Sequence, residues 1–169
     1  GTLDGSSSSS TITLTGTSGT LWTQTGTFTA GTSTVVMNPD AAVTLTSGIF
    51  AFYNLTLSPT ITVARTYSAG ALTIDGDFII NPTAASALAL TVNMAGTITV
   101  TKTTTIQGTN SATSNLNTTA TNYALTTGKI NIATGGTLTS NSSAITLNAT
   151  SGLFGHRRVH TPLVIQQCS

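Results

Sequence analysis

A chain of 169 residues suits one domain or one stretch of a repeat array. Forty residues are Thr and 18 are Ser, against nine charged side chains and a net charge of +1, which excludes a field able to steer nucleic acid. The apolar 38% is regularly placed, unlike a disordered tract, and no run approaches the ~18–20 apolar residues of a membrane span.

The opening "GTLDGSSSSS" (1–10) reads as flexible or extended. From there period-2 alternation dominates. In "TITLTGT" (11–17) Thr holds the odd positions opposite Ile12 and Leu14. "WTQTGTFT" (22–29) sets Thr against Trp22 and Phe28, and "GTITVTKT" (96–103) sets it against Ile98 and Val100. Such alternation marks half-buried strands, apolar side in and hydroxyl side out. The β-branch of Thr favours extended backbone while its hydroxyl tolerates water. Strands are expected near 11–15, 21–23, 27–29, 34–37, 43–46, 52–57, 61–63, 71–74, 77–80, 88–93, 97–101, 103–106, 123–126, 129–132, 137–139 and 144–148. Even the Ala- and Leu-rich "AASALAL" (84–90) runs into Thr and Val and reads as strand. Gly, Asn, Pro and Ser separate most of these segments and turn the chain.

Hairpin sandwiches favour longer strands with turn signals every 8–12 residues, whereas many gaps here are about 5–9 residues. The expected fold is therefore all-β, a parallel β-solenoid (β-helix) of short stacked strands, with β-sandwich repeats as the alternative. Coils of roughly 20–25 residues would number about seven and stack into a rod about 30–40 Å long. Residues 1–150 form the repeat region, with 107–121 read as an insertion loop. Residues 151–169 form a divergent basic tail or linker carrying both His, the Arg157–Arg158 pair and Cys168. One Cys gives no internal disulfide. No basic-then-apolar signal segment stands at the start, and the chain reads as a mature product or a fragment of something longer.

Several pieces together resemble the β-strand-repeat surface proteins encoded in many environmental bacterial genomes. They are "GTLDGSSSSSTITLTGT" (1–17), "TGTFTAGTSTVV" (25–36), "FYNLTLS" (52–58), "GALTIDGDFII" (70–80) and "NYALTTGKINIATGGTLTS" (122–140). The resemblance implies an exported, Thr/Gly-rich tandem-repeat protein, structural or adhesin-like, at the cell surface or outside the cell. It supplies no catalytic residues.

Few residues bear chemistry. Asp75 and Asp77 flank Gly76, and an extended chain would point both carboxylates the same way. Such a pair is a weak candidate polar or ion site, or an acid pair for polysaccharide cleavage. The simpler reading is a polar turn, since Glu is absent and no His or Lys is near in sequence. His156 and His160 stand i, i+4, but Arg157 and Arg158 between them oppose a cation, so no metal site is expected. No catalytic residue and no cofactor is assigned. Asn54, Asn117, Asn141 and Asn148 each begin an N-glycosylation sequon. Trp22, Phe52, Tyr53, Tyr67 and Tyr123 would stack on sugars if exposed, and otherwise pack in the core or at corners.

The function expected is a structural or adhesive module of an extracellular filament or cell-surface repeat protein, not an enzyme. It would self-associate or meet neighbouring repeats end to end through exposed strand edges, with surface glycans as a further partner. An ice-binding β-solenoid is the alternative, and a polysaccharide-cleaving β-helix the next. Ice binding asks for Thr motifs at one corner of every coil. Clusters beginning at Thr11, Thr23, Thr32, Thr44, Thr60, Thr97, Thr119 and Thr137 are unevenly spaced, which weighs against it.

Overall fold

The structure is a computed structural model that describes residues 1–6, 9–22, 25–45, 50–148 and 163–164. No helix occurs among these residues. The strands are β1 (Thr2–Asp4), β2 (Thr11–Leu14), β3 (Gly19–Thr20), β4 (Thr27–Thr29), β5 (Thr34–Met37), β6 (Val43–Leu45), β7 (Asn54–Leu57), β8 (Arg65–Ala69) and β9 (Leu72–Ile74). After them come β10 (Phe78–Ile80), β11 (Thr83–Met94), β12 (Ile98–Ile106), β13 (Thr109–Asn117), β14 (Leu125–Ile132), β15 (Gly136–Thr139), β16 (Ile145–Leu147) and β17 (Leu163–Val164).

Strands pair with the strand one coil away, not with their neighbours in sequence, and the pairing is parallel everywhere except β16–β17. Thr34 lies opposite Asn54, 20 residues on, and Ile98 opposite Leu125, 27 residues on. This is the β-solenoid expected from the alternation, with about six turns where seven were expected. The larger coils account for the difference. At the ~4.8 Å spacing of paired strands, six steps make a rod about 30 Å long.

Each coil has three faces. The first holds β1, β4, Phe52, β9, Ile98–Val100, Leu125–Thr127 and β16. The second holds β2, β5, β7, β10, Thr103–Ile106 and Lys129–Ile132. The third holds β3, β6, β8, β11, β13 and β15. In β12 and β14 the first and second faces share one strand, bent by a register shift between Val100 and Thr103. Inward columns run the length of the rod. Leu14, Met37, Leu57, Ile80, Ile106 and Ile132 form one, and Val43, Tyr67, Val92, Leu116 and Leu138 another. Their middle members are fully buried. Burying a Leu or Ile side chain contributes about 1.5–3 kcal/mol, so these columns hold the stack together. Trp22, Phe28, Phe50 and Phe52 pack mainly edge-on near the first coils, centroids 5.0–6.2 Å apart.

Two expectations need correction. Residues 107–121 are not an insertion loop: 109–117 are β13, paired on both sides by β11 and β15. Its inward positions are Ala112, Ser114 and Leu116, a column too weakly apolar to show as alternation. Ser114 is accommodated because its hydroxyl donates to the Gln107 carbonyl, 2.9 Å away. Residues 61–63 are not a strand. The third-face strand there is β8, at 65–69, with Tyr67 as its buried anchor. The opening segment, read as flexible or extended, is extended at Thr2–Asp4, where it forms β1, parallel to β4.

Candidate functional site

The Asp75–Asp77 corner is where the chain leaves β9 on the first face and enters β10 on the second. The two acids do not share one extended strand: they lie on either side of a bend at Gly76. Gly76 N–H donates to the Tyr53 carbonyl at 2.6 Å, and its own carbonyl accepts from Lys102 N–H at 3.1 Å. A Cβ at Gly76 would meet that Tyr53 carbonyl at 2.6 Å and collide with the Asn54 amide, so only glycine lets the coils approach here.

Asp77 is part of a stitch across four coils. Asn54 Nδ2 donates to Thr34 Oγ1 at 3.3 Å, and Asn54 Oδ1 accepts the Asp77 N–H at 2.9 Å. Asp77 Oδ1 in turn accepts the Thr103 N–H at 3.1 Å. Thr103 is the residue at which β12 resumes regular pairing after its register shift. The carboxylate therefore satisfies a main-chain donor that the irregular ladder leaves over. Asp75 is exposed beside it. Lys102 Nζ donates to the Tyr53 hydroxyl at 3.0 Å and lies 4.9 Å from the centroid of that ring. The hydrogen bond to Tyr53, and the attraction of Tyr53, hold the Lys102 ammonium above its ordinary pKa. The arrangement positions strands and gives Lys102 a cation–π seat. For hydrolysis the two acids would have to face each other across a substrate bond, and Asp77 is turned toward the Thr103 main chain.

Three of the four sequon asparagines fall on the same kind of inter-coil bond. Asn54 spends both ends of its amide as just described. Asn117 Nδ2 donates to Asn93 Oδ1 at 3.2 Å, while its Oδ1 accepts from Thr119 N–H and from Asn141 Nδ2, each at 3.0 Å. Asn141 Nδ2 also reaches Thr118 Oγ1 and the Thr119 carbonyl. Asn148 is exposed after β16, and the other two residues of its sequon lie outside the described residues, as do His156, His160 and Cys168. No cluster of three metal-ligating side chains occurs among the described residues. Trp22, Phe52 and Tyr67 are core, and Tyr53 and Tyr123 are half-buried.

Two features escaped the sequence reading. Asp40 accepts from Arg65 Nε at 2.6 Å, from the Thr62 hydroxyl and, at 3.1 Å, from the Thr62 N–H, and these bonds hold its carboxyl well below the usual range, at about 2. Nothing in the spacing of Asp40, Thr62 and Arg65 signals this pairing except one coil's length between them. The other feature is a two-column array on the third face. Thr66 and Ser68, Thr91 and Asn93, Asn115 and Asn117, and Thr137 and Thr139 stand rung above rung. Thr139 donates to Asn115 Oδ1 at 3.0 Å, and Asn117 to Asn93 as above. Small polar pairs two residues apart, recurring once per coil, are the signal that would have found it.

No family model, curated protein or solved structure matches this chain.

Proposed function

We propose that the chain is a structural or adhesive module of an extracellular filament or cell-surface repeat protein, of the β-strand-repeat kind its sequence resembles. One observation carries the reading: the outward columns of the third face are made of Thr, Ser and Asn, over an apolar interior whose columns continue from coil to coil. Such a rod can be lengthened by whole coils without redesign, because each coil contacts only its neighbours. A wall of hydroxyls and amides stays soluble with few charges and leaves little for salt to screen. The Asp77 carboxylate and the amides of Asn54, Asn117 and Asn141 serve this role as inter-coil bonds. The test is to locate and image the native material. Filaments or surface-attached arrays are expected, whereas a dispersed intracellular protein would sink the reading.

A specific observation favours ice binding as the second reading. The uneven Thr clusters do not prevent alignment, because turns of different length absorb the excess residues. Thr73, Thr99, Thr126 and Thr146 stack in one outward column of the first face. Ice recrystallisation measured with the purified chain, against Thr99→Lys, decides this: inhibition that the variant loses supports the second reading, and growth as in buffer removes it.

A further inference from the structure

We draw no further inference here: the strongest candidate, the charged corner between the first and second faces where Asp75, Asp77, Lys102 and Lys129 lie on three successive coils, belongs to the site already described, and nothing in the structure shows what covers it.

Discussion

Gly76 and Asp77 show how single residues set the corner between the first and second faces. Gly76→Ala forces the Tyr53 carbonyl and the Asn54 amide apart, and a cost of about 1–3 kcal/mol is expected in urea unfolding. Asp77→Ala leaves the Thr103 N–H without its acceptor and should cost a similar ~1–3 kcal/mol. Asp77→Asn keeps an acceptor oxygen and should cost clearly less than Asp77→Ala. If instead Asn and Ala cost the same, the charge and not the acceptor matters. The pH dependence is also settled by individual groups. Asp40 is held at about 2, below its ordinary 3.8, so its contribution is present above pH 4 and fades as pH falls toward 2. Tyr67 is pushed up from its ordinary 10.0, first by burial and then by the Asp40 charge. Its contribution is whole below pH 10 and fades as pH rises beyond it. Unfolding midpoints should therefore be flat from about pH 4 to 9 and fall outside that window. A steep change within it would mean that another buried group titrates.

Among the elements, β13 tests the solenoid most directly. Leu116 is fully buried in a column with Val92 and Leu138, so Leu116→Ala should destabilise by about 2–5 kcal/mol. In an insertion loop the same change would be nearly silent. The elements most legible from sequence were those in which Val, Ile, Leu or Phe alternate with Thr, such as β5, β7, β10 and β12. There the inward column is apolar at every step, and period 2 is unmistakable. In β13 the inward column includes Ala112 and Ser114, and its outward Asn115 and Asn117 look like turn residues. Their stability in a strand comes from Asn93 and Thr139 on adjacent coils, which no local window contains. β8 was displaced for a related reason. Ile61 and Val63 attract a strand assignment, but Ile61 plugs the core from a turn, and Val63 is left 49% exposed.

At the scale of the whole rod, each coil gains stability from the coils above and below it. Among the described residues the first coil has a neighbour on one side only, and its Ile12 and Leu14 are half-buried. Amide exchange at Thr11–Leu14 should thus be roughly ten-fold or more faster than at Asn54–Leu57 in dilute protein. Equal protection at both would show that the end is covered in solution.

Composition and alternation by themselves determined the all-β class, the hydroxylated outer wall, the short strands and the coil length to within a few residues. These are properties of one strand and its nearest turns, fixed by the two-residue period of side chains and by β-branching. The candidate site was legible only as a list of acids and asparagines. That Asp77 answers Thr103, that Asn54 bridges Thr34 to Asp77, and that Asp40 holds Arg65 depends on which residues face each other across coils. Register between coils is set by turn lengths and a bulge, so that residues paired across coils are separated by 20 to 27 residues. Only the stacked structure decides it, because parallel pairing joins residues whose separation no local rule encodes.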